Sequence, residues 1–275
     1  MVIKVLVENM SISEDLGSEH GLSLYIEANG RKILFDTGAS EMYLENAKKM
    51  DVDISAVELL VISHGHYDHG GGLNSFLSQN DKAEMFLSTE AFETFYYSLH
   101  PGDDLRYIGI DQKLKDNDRI SFVSDYLLIG EGLEIFSNVA QTEALPRPNK
   151  GIFIEKDGQL LPDIFAHEQN LIIEEGGKSV LLTGCAHNGI VNIVEHFRSI
   201  KGCMPDYVIG GFHLAGNSPD EDEYAETIDK IAEYLLATGA KCYTGHCTGM
   251  RPYKKLKALM GDRLEYLATG SEIRI

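Results

Sequence analysis

The chain has 275 residues, 43% of them hydrophobic and 24% charged, enough for a sizeable core in one large domain or two ordinary ones. Its formal charge of -19 at pH 7 argues against a nucleic-acid partner, because that affinity draws on Lys and Arg displacing counterions from phosphates. No apolar run reaches the roughly 18 residues of a membrane span, so no membrane partner is expected.

Residues 2–7 read as a strand followed at once by Glu8 and Ser11 rather than a cleavage site, so the expectation is a strand and not a signal peptide. The four cysteines, Cys185, Cys203, Cys242 and Cys247, form neither a CxxC pair nor a dense disulfide pattern. Reduced thiols in a cytoplasmic protein are the expectation.

Residues 22–27 and 32–35 predict a hairpin turning at Asn29-Gly30, and Asp36-Thr37-Gly38 ends it. Ser40 is the predicted N-cap of a helix running to Met50. A strand over 58–62 then enters Ser63-His64-Gly65-His66-Tyr67-Asp68-His69-Gly70. Residues 83–138 give a poor periodic signal and are expected to be an insertion or lid, with a polar turn at 100–104. Strands over 171–174 and 179–182 follow, joined at Gly176-Gly177, so that 173–184 nearly repeats the hairpin of 26–38 and suggests two similar halves. Helices are predicted over 188–200, from a Ser218-Pro219-Asp220-Glu221 capping box with Tyr224, Ile228, Ile231 and Leu235 inward, and from Pro252. Strands over 207–209, 241–244 and 272–275 alternate with them. The class is α/β, read as one domain over 1–275.

The chemistry concentrates at residues 64–69, which hold three histidines and one aspartate in six positions. In extended chain, residues i and i+2 point the same way, so His64 and His66 can present two imidazoles to one cation. Asp68 and His69 follow where the chain is turning and can serve a second. Two divalent ions side by side lower the pKa of a shared water to about 7. Further ligands must come from elsewhere. The candidates sit at similar strand-to-loop junctions with glycine beside them: Cys185 and His187, His213, and His246. Cys185 reads either as a thiolate ligand or as a small buried residue. His213 reads as ligand, substrate contact or support for the ligands. His196, on an amphipathic helix, and His100 read as non-catalytic, and His167 is left open.

These motifs resemble the His-x-His-x-Asp-His signature of the metallo-β-lactamase superfamily. Glu19-His20-Gly21-Leu22-Ser23, Phe35-Asp36-Thr37-Gly38, Gly184-Cys185-Ala186-His187, Gly210-Gly211-Phe212-His213-Leu214 and Gly245-His246-Cys247-Thr248-Gly249 resemble its dihydropteroate-synthase-like subgroup. The resemblance implies a four-layer αβ/βα sandwich with one or two divalent metals at an edge between its halves. Zinc is the leading assignment, with iron or manganese as alternatives. It implies His64 and His66 on the first metal, Asp68 and His69 on the second, His246 as the late histidine, Asp36 holding the histidine loop, and His20 near ligands or substrate. Where many relatives carry a bridging aspartate this chain has Cys185, so either Cys185 replaces it or His187 completes the site.

The leading reading is a metal-dependent hydrolase of a small phosphate, ester or pterin-like substrate, with Asp68 and His213 in catalytic roles. The runner-up is a transferase joining a dihydropterin diphosphate to an aminobenzene ribosyl phosphate, as the subgroup implies. An iron-dependent redox enzyme and a non-enzymatic binding module are the remaining alternatives. The partner is a small-molecule substrate, and nothing in the sequence sets the oligomeric state.

Overall fold

The computed structural model describes residues 1–97 and 104–275. His100 and the expected turn at Pro101-Gly102-Asp103 lie outside the described residues. In the first half, strands β1 (Val2–Val7), β2 (Ser23–Ala28) and β3 (Arg31–Phe35) precede helix α1 (Met42–Lys49) and strand β4 (Leu59–Val61). After it come α2 (Tyr67–Gly70), α3 (Leu73–Gln79), β5 (Glu84–Ser88), β6 (Thr94–Tyr97), β7 (Arg106–Tyr107) and β8 (Ile120–Val123). There follow β9 (Tyr126–Gly130), β10 (Leu133–Phe136), β11 (Ile152–Lys156), β12 (Gln159–Pro162), β13 (Asn170–Glu175) and β14 (Lys178–Leu182). The chain closes with α4 (Ile190–Lys201), β15 (Tyr207–Gly210), α5 (Ala225–Thr238), β16 (Lys241–Thr244), α6 (Met250–Met260), β17 (Leu264–Tyr266) and β18 (Glu272–Arg274).

Among the described residues these strands make two seven-stranded sheets, ordered β18-β1-β2-β3-β4-β5-β8 and β17-β16-β15-β14-β13-β10-β9, and a four-stranded sheet β12-β11-β6-β7. Each large sheet has an antiparallel side and a parallel side, meeting at β3 in one and at β14 in the other. The two similar hairpins of the sequence, β2–β3 and β13–β14, therefore occupy matching places. Both turn as the sequence predicts, with φ positive at Asn29 and Gly30 and at Gly176 and Gly177, the twist that two-residue hairpins need.

Alternation along these strands sets the layers. Ile33, Phe35, Val180 and Leu182 point into a core shared by the two sheets. Leu34 points the other way, into a cluster with Tyr43, Ala47 and Phe76 of α1 and α3. Leu181 faces a third cluster with Ile193, Phe197, Leu235 and Leu256 of α4, α5 and α6. Strands covered on both faces need continuous apolar runs, which is why they carry little polar alternation. The result is helix, sheet, sheet, helix: the αβ/βα sandwich. No helix among the described residues is long and apolar enough to cross a membrane.

Two expectations are corrected. The stretch 83–138 is not one insertion: β5, β8, β9 and β10 belong to the large sheets, and only β6 and β7 join the small one. Its strands are four or five residues long or shorter, and the edge strand β9 is nowhere fully buried, so their periodicity is weak. The Ser218 capping box does not open α5, because Pro219–Glu221 is a separate turn and the helix starts at Ala225. Asp222 and Glu223 instead accept bonds from Gly216 N and Arg147 N, and Tyr224 is exposed under the Arg147 guanidinium.

Phe35 is fully buried between the sheets. Phe35→Ala should cost about 3–5 kcal/mol, read as a lowered urea midpoint at unchanged slope; a loss below roughly 1 kcal/mol would show that this layer is not close-packed.

Candidate metal centre

The functional loops all leave carboxyl ends of parallel-side strands, where α/β sheets bind ligands. Asp36 follows β3, residues 62–69 follow β4, Cys185 and His187 follow β14, His213 follows β15 and His246 follows β16. The chain runs extended to His66 and then coils into the single turn of α2, so Asp68 and His69 sit to one side of His64 and His66. Four residues here, Asp36, Ala186, His213 and His246, hold φ between 47 and 61. Such left-handed backbone is strained without glycine and concentrates at functional sites. Gly184 matters for space instead, since a Cβ there would lie 2.1 Å from Ser63 Oγ, and its absence lets the loops of the two sheets meet.

The loops converge. The rings of His64, His66 and His187 lie with centroids 4.6 to 5.0 Å apart, each with a buried Nε2 that has no hydrogen-bond partner among the described residues. Beside them, one donor atom each of Asp68, His69, Cys185 and His246 lies within 4.8 Å of the others. His69 Nε2 is 3.2 Å from Cys185 Sγ and 3.1 Å from His246 Nε2, which is 3.3 Å from Asp68 Oδ2. Cys185 also lies within 4.8 Å of donors of His64 and His187, and Asp68 within that distance of His64 and His66. The structure brings both Cys185 and His187 to the cluster: the thiol stands between the two groups, and the imidazole lies in the first.

Each of four rings is fixed by its other nitrogen. His69 Nδ1 donates to Asp36 Oδ2 at 2.6 Å, and His187 Nδ1 to Asn149 Oδ1 at 2.8 Å. His246 Nδ1 donates to Asn9 Oδ1 at 2.9 Å. Ser63 Oγ donates to Asp36 and is left to accept from His64 Nδ1, at 2.9 Å. Holding the proton on Nδ1 turns the Nε2 lone pair toward the centre, the tautomer a metal ligand requires. Asp36 also accepts Ser63 N at 2.6 Å, tying β3 to the histidine loop. Glu8, fully buried, accepts His246 N and Tyr266 Oη. Ser63 stands beside the motif and was legible there; Asn9, Asn149 and Glu8 are ordinary residues in sequence, which only folding brings to the rings.

His20 sits on the open side, its side chain 59% exposed, with Nε2 3.3 Å from Asp68 Oδ2. His213 flanks the opposite side: its ring is 4.1 Å from that of His187, it shares a corner with Cys185 and Cys247, and neither ring nitrogen has a partner among the described residues. His196 stacks on Phe136, away from the cluster.

Burial pushes the His66 imidazole down to about 3, with His167 adding to the effect. Burial and neighbouring rings also hold His64 and His187 well below the ordinary range. These three are neutral at neutral pH, as ligation demands. For His69 burial opposes the charge, but the carboxylates of Asp36 and Asp68 outweigh it and raise the group to about 9. For Asp68, burial opposes ionisation, but His69, His20 and His246 hold it well below the carboxylate range. Burial, with Cys247 alongside, pushes the Cys185 thiol up. Orphaned nitrogens, an ionised carboxylate and a thiol gathered in one buried place fit a divalent cation in chemistry and number of donors.

Over residues 16–246 the chain matches the metallo-beta-lactamase superfamily, and it belongs to that superfamily. It is 32% identical over 267 residues to an uncharacterized protein of Methanocaldococcus jannaschii, covering 94% of each chain. It is 28% identical over 273 residues to the 7,8-dihydropterin-6-methyl-4-(beta-D-ribofuranosyl)-aminobenzene-5'-phosphate synthase of the same organism, covering 94% of this chain and 90% of the synthase. Among solved structures, a metal-dependent hydrolase of the beta-lactamase superfamily superposes with a TM-score of 0.84 at 30% identity, covering 100% of this chain and 99% of the other.

A cation binding at His69 Nε2 must displace the proton that this ring holds up to about pH 9. Affinity for zinc should therefore rise with pH, about tenfold per unit below that value for the proton released there, and the Cys185 thiol, which burial pushes up, adds a further proton where it ligates. Calorimetry in buffers of different ionisation enthalpy counts the protons; uptake that releases none would contradict the assignment of His69.

Proposed function

We propose that this protein is a metal-dependent hydrolase that acts on a small phosphate, ester or pterin-like substrate through a metal-activated water. The observation that carries this reading is the pair of adjoining donor groups, His64, His66 and His187 beside Asp68, His69 and His246, with Cys185 between them. They would hold two divalent cations, with zinc the first choice and iron or manganese the alternatives. Bound there, such ions acidify water to a pKa of about 7 and neutralise charge on substrate oxygens.

The remaining work falls to the chain's own groups. Asp68, ionised and buried among three imidazoles, turns Oδ2 to His20 and His246 and would both bind a cation and orient its water. Asp36, Ser63, Asn149 and Asn9 keep the rings from turning. His213 lies on one flank with neither ring nitrogen hydrogen-bonded among the described residues, and His20 can meet substrate at the open side. The overall charge of -19 disfavours a nucleic-acid substrate, while a small anion can be drawn by the local cations.

A second reading, transfer rather than hydrolysis, is favoured by the 28% identity to the synthase across 94% of this chain. The same donors would serve it, with a dihydropterin diphosphate and an aminobenzene ribosyl phosphate as substrates.

His66→Ala should remove metal and turnover together, with a loss of metal affinity exceeding the 10- to 100-fold that is roughly typical of an outer partner. A folded variant with unchanged metal content would overturn the assignment. The substrate is settled by offering the metal-loaded protein phosphodiesters, phosphomonoesters, thioesters, lactones, and a dihydropterin diphosphate with an aromatic amine. Turnover confined to the last pair would establish the transferase, and an oxygen-dependent activity with stoichiometric iron would displace both.

A further inference from the structure

The short segment between β12 and β13 carries Asp163, His167, Glu168 and Gln169, which are 7%, 1%, 1% and 0% exposed. Four buried polar side chains in seven residues are costly unless each is paired. Each side chain has at least one partner, although Gln169 Oε1 has none among the described residues, and the bonds that leave the segment run to both large sheets.

Toward the first sheet, His167 Nε2 donates to Asp163 Oδ2 at 3.1 Å, which leaves Nδ1 to accept the Gly65 N–H at 2.9 Å. Gly65 is the residue between His64 and His66. Gln169 extends the same hold, donating from N to Ser63 O at 2.8 Å and from Nε2 to Ile62 O at 2.7 Å and Phe86 O at 3.0 Å. Toward the second sheet, Glu168 accepts His187 N at 2.6 Å and Asn188 N and Nδ2 at 2.9 Å each. Phe165 stacks on the His187 ring at 4.4 Å and 3°. Although His66, Asp163 and His167 have donor atoms within 4.8 Å of one another, both His167 nitrogens are already engaged, so this cluster is a brace and not another cation site.

We propose that residues 163–169 form a clasp that sets the spacing of the metal centre, with His167 and Glu168 as positioning residues on its two sides. His64 and His66 come from one sheet and His187 from the other, so their three nitrogens meet only if the two loops are held in fixed relation. The inference rests on the metal-centre reading proposed above.

The test compares zinc dissociation constants, by chelator competition, and metal-free thermal midpoints for the full chain and its His167→Ala, His167→Asn and Glu168→Gln variants. Asparagine places an amide oxygen near the position of Nδ1 and can accept from Gly65. His167→Ala and Glu168→Gln should weaken zinc binding about 10- to 100-fold, and His167→Asn should recover most of the loss. If the folded His167→Ala and Glu168→Gln variants bind zinc as the parent does, or if asparagine does no better than alanine, the clasp is overturned. If His167→Ala does not fold, Glu168→Gln alone decides in the same way. Failure of the parent chain itself to bind zinc, iron or manganese would instead sink the metal reading, and the clasp with it.

Discussion

The carboxylate of Asp36 is the contact on which the first half of the site depends. Fully buried and at φ 61, it accepts from Ser63 N, Ser63 Oγ and His69 Nδ1. A carboxyl group in the interior is tolerable only when its oxygens have partners, and here Ser63 and His69 supply them. The same three bonds align the end of β3, the start of the histidine loop and a ring at the centre. Because Ser63 directs its proton to Asp36, its oxygen is left to orient His64, so one carboxylate indirectly sets two rings.

The second half is built differently. Cys185, His187 and His246 come from β14 and β16, and their placement follows from the face-to-face packing of two sheets whose parallel sides end at one edge. Strained backbone at Ala186, His213 and His246 costs on the order of 1–3 kcal/mol each; buried carboxylates hold it at two of them, Glu8 on the amide of His246 and Glu168 on that of His187, next to Ala186. These acids touch no donor atom of the centre. They act by fixing the backbone from which the rings hang.

Membership of the superfamily constrains fold more than reaction, since one fold hosts many chemistries. The relative named as a synthase and the solved structure described as a hydrolase are similar to this chain at 28% and 30% identity, so overall likeness does not separate the two reactions. What distinguishes the two reactions is the acceptor, water in hydrolysis and an amine in transfer, which overall likeness does not record.

The sequence by itself determined what adjacent residues can encode. The turns at Asn29-Gly30 and Gly176-Gly177, the strand β1 and the amphipathic helix α4 follow from local conformational preference and periodicity. The spacing of His64, His66, Asp68 and His69 likewise carries its own geometry. The sequence offered His187 and His246 as candidates, but only tertiary structure decided that they reach that cluster and that Asn149 and Asn9 hold their rings, because sheet packing brings these groups together and no periodicity records such contacts. It also decided that residues 83–138 divide between three sheets, since a short strand acquires its identity from its neighbours. For the same reason Ser218 lost its helix: the acids Asp222 and Glu223 found partners at Gly216, Arg251 and Arg147, and those bonds outweighed a local capping signal.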